Sequence, residues 1–274
     1  MAIPNRKQHK CAQLCYHAAM AMRQEERLSL ILEQLSEKGS VGVTEIAALL
    51  GVSTASVRRD LQLLEDQHLL SRTHGGAVAN STVYELPLRY KGGRHKDEKR
   101  RIAMLAAARV VEGVATVGLT GGTTTTEVAR ALVDRPGLTI VTNALNIASE
   151  LALRPNLKLI VTGGTARSES YELVGPLAEC TLDGLNLDIA FVGVDGLTVD
   201  GGLTTYHEVE AHTNRHLIER ADCAIVVTDG SKIGKRALAH ICDVERVDEL
   251  ITDASADGDE LRRLRAAGVA VTTA

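Results

Sequence analysis

The 274-residue sequence contains no tryptophan, one phenylalanine and five tyrosines. Its core must therefore be built from valine, leucine, isoleucine and alanine. Stacking of bases on aromatic rings, which single-stranded nucleic acid sites use, is disfavoured. The sequence also lacks any apolar run near the ~20 residues that a membrane helix needs, so no membrane partner is expected.

Disulfides are not expected, because the five cysteines are an odd number and are scattered along the chain. Reduced thiols in the cytoplasm are the simplest interpretation. Residues 1–21 lack the continuous apolar segment and cleavage site of a secretory signal. Met22 is itself a candidate start, so residues 1–21 are predicted to be a disordered extension. The histidines and cysteines of this extension match no strong zinc pattern, and no metal site is predicted.

Charge is distributed unevenly, although the formal net charge is only -4. Residues 1–101 carry 16 lysines and arginines against 11 acidic residues, a net charge of +5. Residues 102–274 carry 15 against 24, a net charge of -9. A basic front joined to an acidic rear predicts that the front binds a polyanion and the rear does not. The length favours two domains.

The first domain, predicted over residues 22–79, begins with helical periodicity. Apolar residues at i, i+3, i+4 and i+7 from Leu28 indicate one amphipathic helix, which ends at Gly39. Thr44 is predicted to cap a short second helix, and Gly51 to end it in a left-handed conformation.

A third helix and a hairpin complete the first domain. Ser53 is predicted to cap this helix, whose inner face carries Val57, Leu61 and Leu64. A strand, a glycine pair and a second strand follow over residues 69–78, which indicates a small hairpin.

Helix, glycine turn and helix form a helix-turn-helix, whose second helix enters the major groove of DNA. Short polar residues at the start of that helix allow close approach to base edges, and Arg58 and Arg59 can reach phosphate or guanine. The hairpin would serve as a wing. The predicted DNA-binding residues are Thr44, Ser53, Thr54, Ala55, Ser56, Arg58, Arg59, Arg72 and His74. The alternative is a small helical bundle with Arg58 and Arg59 on a solvated face, but the wing and the basic charge favour DNA binding.

These residues resemble the DNA-binding signature of the DeoR-type transcriptional regulators. The resemblance lies in residues 43–47, 51–53, 57–61, 64–65 and 72–77. It implies a winged helix-turn-helix that binds double-stranded operator DNA. In the family's usual form a glycine stands where this chain has His68.

Residues 80–95 are polar and are predicted to form a linker to a second domain at residues 96–274. There, β-rich runs alternate with helical stretches, which predicts an α/β fold with a mostly parallel sheet covered on both faces. The strands are predicted at residues 114–119, 138–142, 157–162, 187–194, 223–228, 250–252 and 269–272. The helices are predicted at residues 126–133, 144–153, 208–220 and 257–267.

A loop of glycines and threonines over residues 120–126 links the first of these strands to a helix. Its backbone N–H groups and the positive end of the helix suit a phosphate. The loop lacks the lysine of a Walker A loop and the spacing of a dinucleotide fingerprint, so neither ATP nor NAD, and no cofactor, is expected. The alternative interpretation is a tight turn that caps the helix.

Other strand ends supply polar groups, and ligands of open α/β sheets bind outside the carboxyl ends of the strands. Convergence of these groups would suit a phosphorylated polyol. Lys232 and the threonine loop would hold the phosphate, while Asp195 and Asn143 would bind hydroxyls. Taken singly, each group is more often part of a capped turn. The predicted effector-binding residues are Gly121, Gly122, Thr123, Thr124, Thr125, Thr142, Asn143, Gly163, Gly164, Arg167, Asp195, Thr204, Glu210 and Lys232.

The second domain resembles the DeoR-type effector domain through residues 122–125, 141–143, 163–164, 174–175, 188–193, 202–205, 210–211 and 229–232. The resemblance implies a fold similar to that of ribose-5-phosphate isomerase and a domain that senses sugar phosphates. The family commonly has an aspartate where this chain has Thr120, so one carboxylate is missing from the expected pocket.

The chain is therefore predicted to be a cytoplasmic DNA-binding regulator, a repressor of a carbohydrate-use operon that a phosphorylated sugar releases from its operator. A homo-oligomer is expected on repeated half-sites, because one small reading head rarely supplies enough specificity. One alternative is a sugar-phosphate isomerase with an accessory DNA-binding head, in which Asp195, Glu210 and Lys232 would act as acids and bases. The family resemblance implies binding without turnover. A further alternative is an oligomer whose rear domain only assembles subunits.

Overall fold

The computed structural model describes residues 24–79 and 85–274, so the predicted extension at residues 1–21 lies outside it. The chain divides into two compact units, Met1–Gly93 and Arg94–Ala274. Within the described ranges, no helix is both long and apolar enough to cross a membrane.

The N-terminal unit contains the predicted helix-turn-helix and hairpin. Its core is formed by apolar side chains from all three helices and the strands, among them Ile31, Ile46, Leu61 and Leu70. Strand β1 joins the hairpin in an antiparallel sheet of order β1-β3-β2, and its three residues are too few to show a periodicity. The elements are α1 (Gln24–Lys38), β1 (Ser40–Gly42), α2 (Val43–Leu50), α3 (Thr54–Asp66), β2 (Leu70–Thr73) and β3 (Gly76–Ala79).

Of the four helix-end residues predicted from the sequence, three are confirmed by the structure and one is wrong. Gly39 and Gly51 both have positive φ, at 72° and 64°, and Ser53 caps α3 by accepting a hydrogen bond from the Ser56 N–H. The prediction that Thr44 caps the second helix is wrong. Helix α2 already begins at Val43, with Gly42 as the cap residue. Thr44 therefore lies inside the first turn.

The described part of the predicted linker contains a short helix, α4 (Leu88–Lys91). The linker interpretation is corrected here, because Leu88 and Tyr90 are buried and Tyr90 belongs to the core of the N-terminal unit. The Tyr90 hydroxyl hydrogen-bonds to Gln67 at the end of α3, at 2.5 Å. The polar composition of the segment gave no indication that Leu88 and Tyr90 are buried.

The C-terminal unit contains a seven-stranded parallel sheet. All seven predicted strands are present, which confirms the predicted fold class. The strands are β4 (Thr116–Leu119), β5 (Thr139–Thr142), β6 (Lys158–Val161), β9 (Leu187–Val192), β12 (Ala221–Val227), β14 (Glu249–Thr252) and β15 (Ala270–Thr273). Their order in the sheet is β15-β14-β12-β9-β4-β5-β6.

Helices cover both faces of this sheet. Side chains of β9 alternate between two apolar cores, with Ile189 and Phe191 on one side and Ala190 and Val192 on the other. The first core is lined by α5 (Lys96–Ala107), α6 (Thr123–Leu132) and α7 (Leu145–Leu151). The second is lined by α8 (Pro176–Asp183), α9 (Glu208–Glu219) and α10 (Gly258–Ala266).

Two small sheets and α8 were absent from the sequence prediction. Strands β10 (Gly196–Thr198), β11 (Gly202–Thr205) and β13 (Ala239–Cys242) form an antiparallel sheet, and β7 (Thr165–Ala166) pairs with β8 (Leu173–Val174). These strands have two to four residues each. Sequences this short give no alternation from which a strand could be predicted.

Candidate functional site

The exposed face of α3 carries the residues predicted to read DNA. Val57, Leu61 and Leu64 are fully buried, so the helix presents its opposite face to solvent. Thr54, Ala55, Arg58 and Arg59 are exposed there, Ser56 is half-buried, and Ser53 caps the start of the helix. Thr44 is exposed in the first turn of α2. The exposed side chains in the first turn of α3 are thus small, and the cations Arg58 and Arg59 follow them.

A buried ion pair fixes α3 against α1. Asp60 is 1% exposed and accepts hydrogen bonds from Arg27 Nε and Nη2 at 2.8 and 3.0 Å. This contact raises the pKa of Arg27, because the hydrogen-bonded carboxylate favours the charged guanidinium. The acidic residue that follows Arg58 and Arg59 therefore positions the helix from its buried side.

The hairpin β2–β3 forms the wing beside α3. The Arg72 guanidinium hydrogen-bonds to Gln62 of α3, and the Arg72 backbone N–H donates to Glu65 at 3.0 Å. Arg72 thereby ties the wing to the reading helix. His74 is exposed in the turn at the tip of the wing.

In the C-terminal unit, the strand order reverses between β4 and β9, which is where open α/β sheets bind their ligands. Thr120 follows β4 and is fully buried. Its hydroxyl accepts a hydrogen bond from the Gly193 N–H at 2.9 Å and donates to the Gly121 carbonyl at 3.2 Å. Thr120 stands where the resemblance to the DeoR-type regulators predicted an aspartate, and it joins the ends of the two strands.

The threonine loop turns directly into α6. Gly122 precedes the helix with φ of 128°, a conformation that glycine adopts readily. Its carbonyl accepts hydrogen bonds from the Thr125 and Thr126 hydroxyls at 3.0 and 2.6 Å. The first backbone N–H groups of α6 have no partner within the helix and form its positive end. Of the loop residues, Gly122 and Thr123 are half-buried, whereas Thr124 and Thr125 are buried.

A buried carboxylate lies against this loop. Glu172 is 2% exposed, and a Cβ on Gly121 would come within 2.2 Å of Glu172 Oε1. Glu172 Oε2 accepts hydrogen bonds from the side-chain amides of Asn143 and Asn214, both at 3.3 Å. Burial and the nearby charge of Glu210 raise the pKa of Glu172 well above its ordinary value, so the neutral carboxylic acid is favoured.

Asn143 carries an unpaired acceptor. Its amide nitrogen also donates to Asn214 at 3.2 Å, whereas its oxygen Oδ1 is buried with no hydrogen-bond partner within the described part of the chain. An unsatisfied buried acceptor is costly, and a ligand hydroxyl would satisfy it.

A second set of charged groups is linked to the first through Glu210. Arg167 forms an ion pair with Glu210, whose other oxygen accepts a hydrogen bond from the Thr205 hydroxyl at 2.6 Å. That hydroxyl lies 3.3 Å from Asp195, which in turn pairs with Lys232 Nζ at 3.1 Å. Contacts therefore connect Arg167, Glu210, Asp195 and Lys232, and the charge of Glu210 acts on Glu172, which Asn143 contacts.

Two other predicted residues, Thr142 and Thr204, bind backbone groups instead. The Thr142 hydroxyl is committed to backbone hydrogen bonds with Leu119 and Ala144, and that of Thr204 to Gly196 and Ala237. For these two, the predicted binding of ligand through a hydroxyl is corrected. Gly163 is exposed, and Gly164 lies against the backbone of Val174.

Sequence reasoning missed Glu172 and Asn214 as members of the network. Glu172 stands between Tyr171 and Leu173 without any motif around it, and Asn214 lies in the middle of an amphipathic helix. A polar residue on the inner face of α9 was the only available signal for Asn214.

Two sequence-family models match the chain. The model described as a DeoR-like helix-turn-helix domain matches residues 27–83, and that described as the DeoR C terminal sensor domain matches residues 94–254.

Full-length relatives are similar along most of their length. The HTH-type transcriptional regulator GlpR of Haloferax volcanii is 38% identical over 247 residues, 90% of this chain and 96% of that protein. The glycerol-3-phosphate regulon repressor of Escherichia coli K12 is 34% identical over 236 residues, 85% of this chain and 92% of that protein. Among solved structures, ribose 5-phosphate isomerase A of Methanocaldococcus jannaschii aligns over 51% of this chain and 55% of its own, at 21% identity and a TM-score of 0.38.

Proposed function

Because this chain belongs to the DeoR family of DNA-binding transcriptional regulators, we propose that it represses a carbohydrate-use operon and leaves its operator when a phosphorylated sugar binds the C-terminal unit. The proposed repressor acts in the cytoplasm as a homo-oligomer on repeated half-sites. Sugar phosphate favours an oligomer geometry that does not match the operator, which requires that the two states bind the ligand with different affinities.

The unpaired Oδ1 of Asn143 carries the proposal for the ligand. It is buried within the network that includes Glu172, whose carboxyl group lies against the glycine loop ahead of α6. The N–H groups at the start of α6 suit the phosphate. Acceptors such as Asn143 Oδ1 and Asp195 suit sugar hydroxyls. A ligand with a phosphate at one end and hydroxyls at the other fits this inventory.

The ligand proposal is tested by the melting temperature of the chain with a panel of phosphorylated sugars and polyols, each paired with its unphosphorylated counterpart. A ligand that binds only the folded state at 100 times its Kd stabilises that state by about 2.7 kcal/mol. We expect at least one phosphorylated compound to raise the melting temperature while its counterpart does not. No shift across the panel would contradict the proposal.

The DNA proposal is tested by replacing one cation on the exposed face of α3. Arg58→Ala is expected to weaken binding to the DNA upstream of the chain's own coding sequence by about 1–3 kcal/mol if the guanidinium contacts a base. Loss confined to that sequence would identify a base contact, whereas uniform loss with a smaller salt dependence would identify a phosphate contact. Arg265→Ala, an exposed arginine at the end of α10, is the matched control, and equal binding by both variants would contradict the assignment.

Binding without turnover is proposed for the C-terminal unit. The groups that could serve as acids and bases already have ionic partners, Arg167 for Glu210 and Lys232 for Asp195. Such pairs suit the recognition of hydroxyls. We expect no conversion of ribose 5-phosphate to ribulose 5-phosphate in a coupled assay, and measurable turnover would favour an isomerase instead.

A further inference from the structure

Two histidines and a carboxylate lie close together on two helices of the C-terminal unit, and none of the three belongs to the candidate ligand network. His212 and His216 lie four residues apart on α9, which places them on the same face of the helix. Glu179 projects toward them from α8. One ligand atom from each of the three lies within 4.8 Å of the others.

The separations are close to those of a coordinated ion. His212 Nδ1 already lies 3.0 Å from a Glu179 oxygen. Zinc takes its nitrogen and oxygen ligands at about 2.0–2.2 Å, so tetrahedral ligand atoms stand about 3.4 Å apart. No separation here exceeds 4.8 Å, so the ligand atoms must approach by at most about 1.4 Å, which small rotations about side-chain bonds can supply. The His212 side chain is 55% exposed, so an ion can enter from solvent.

Neighbouring groups orient two of these ligands. Asp183, one turn after Glu179 on α8, lies 3.3 Å from His216 Nδ1. A hydrogen bond from Nδ1–H to this carboxylate leaves the lone pair of Nε2 for a metal, as in the carboxylate–histidine arrangements around zinc. The Thr213 hydroxyl donates to Glu179 at 3.3 Å and holds the second carboxylate.

We propose that Glu179, His212 and His216 bind a divalent transition-metal ion of the zinc type, with the fourth position open to water. Two imidazoles and one carboxylate suit zinc, whereas magnesium and calcium prefer oxygen ligands throughout. The ion would join α8 to α9, the helix that also carries Glu210 and Asn214. This site is independent of the proposed sugar-phosphate function.

The test is a titration of metal-stripped, untagged full-length chain with Zn²⁺ against a chromophoric chelator. We expect binding at this site to weaken at least tenfold in His212→Ala and in His216→Ala. His240→Ala is the matched control, because the His240 side chain is exposed and pairs with Asp243, which is not one of the proposed ligands. It should bind as the unchanged chain does.

Two further variants test whether Glu179 or the cysteines near the N-terminus contribute ligands to Zn²⁺. Glu179→Gln keeps the size of the side chain but removes its charge, and it should weaken Zn²⁺ binding while leaving the metal-free melting temperature nearly unchanged. Cys11→Ser with Cys15→Ser removes the thiols near the N-terminus and should leave the binding intact. Equal Zn²⁺ affinity in the two histidine variants and the unchanged chain, or loss of binding only with the cysteines, would overturn the proposal.

The melting temperature provides a second readout. Zn²⁺ should raise it in the unchanged chain, since the ion binds only the folded arrangement, and should not raise it in His212→Ala. Mg²⁺ at the same concentration should have no effect on either. A Zn²⁺ shift of equal size in both proteins would assign the ion to another site.

Discussion

At the scale of single residues, His68 has an unusual backbone. It follows α3 with φ of 58°, in the left-handed region that glycine adopts at the ends of helices. The Leu69 N–H reaches back to the Leu64 carbonyl at 2.9 Å, which requires this reversal. A side chain in this conformation is disfavoured by roughly 1–2 kcal/mol. A glycine at this position, which the resemblance to the DeoR-type regulators predicted, would adopt this conformation without that cost.

Replacement of His68 by glycine is expected to stabilise the N-terminal unit. The relief of backbone strain exceeds the entropy that glycine adds to the unfolded chain, and a gain of about 0.5–1 kcal/mol is expected. The measurement is the free energy of unfolding in urea. Gly51→Ala is the converse control, because Gly51 has φ of 64° and open space around its Cβ position, so it should lose about 1 kcal/mol. A destabilised His68→Gly chain would show that side-chain contacts of His68 outweigh the strain.

Glu172 gives the stability of the C-terminal unit a definite dependence on pH. Its pKa is raised by burial and by Glu210, while hydrogen bonds from Asn143, Asn214 and the Gly121 N–H oppose that shift. The folded chain thus holds this proton more tightly than the unfolded chain does. The contribution of Glu172 to stability is complete below the ordinary value of 4.5 and is lost as pH rises through the raised pKa.

The variant Glu172→Gln resembles the protonated acid, so it should not lose stability as the pH rises. We expect its melting temperature to be close to that of the unchanged chain near pH 5 and to exceed it progressively as pH rises toward 8. The control is Glu112→Gln, at an exposed position in a turn, which should shift the melting temperature equally at all pH values. A constant difference for Glu172→Gln would argue against a raised pKa.

Only part of the ligand network could be predicted at this scale. Asp195, Glu210 and Lys232 follow or adjoin strand ends, and strand ends are where a parallel sheet collects its polar groups. Glu172 and Asn214 gave no such signal, because their burial depends on which helix packs beside which loop. The positions of Thr142 and Thr204 did not distinguish their two possible roles, because a threonine at a strand end satisfies backbone groups as readily as it binds a ligand.

At the scale of elements, long periodic segments were predictable and short ones were not. The apolar stripe of α1 and the seven runs of the parallel sheet are local patterns, and each one appears in the structure. Strand β1 has three residues and α4 four, so neither is long enough to show a period. Both exist because tertiary packing holds them, through pairing with β3 and through burial of Leu88 and Tyr90.

The wing depends on a close approach between β1 and β3. A Cβ on Gly76 would lie 1.8 Å from the Val41 carbonyl oxygen, whereas a Cβ on the adjacent Gly75 would meet nothing within 4 Å. Neither glycine has a positive φ. The two positions therefore differ in packing, and neither requires the left-handed conformation that favours glycine.

Gly76→Ala is expected to separate β1 from β3 and to destabilise the N-terminal unit by several kcal/mol, of the order seen for overpacking or more. Gly75→Ala should change stability by less than about 0.5 kcal/mol. Urea denaturation of both variants measures the difference, and DNA binding should be lost only in the first. Equal stability of the two variants would contradict the observed packing of the wing.

At the scale of the whole molecule, the two units carry opposite charge. The basic surplus lies in residues 1–101 and the acidic surplus in residues 102–274. The charge pattern predicts a division of roles, because only the first part is suited to approach a polyanion. The family models match residues 27–83 as a helix-turn-helix domain and residues 94–254 as a sensor domain.

Communication between sugar phosphate and DNA is the property on which the proposed function depends. It is measured by titrating a preformed complex of the chain and its own upstream DNA with the phosphorylated compound that raises the melting temperature. We expect the affinity for DNA to fall by about 5–150-fold, the usual range of allosteric coupling. The unphosphorylated counterpart should leave it unchanged. A phosphorylated ligand that binds the chain yet leaves the affinity for DNA unaltered would contradict the proposed switch.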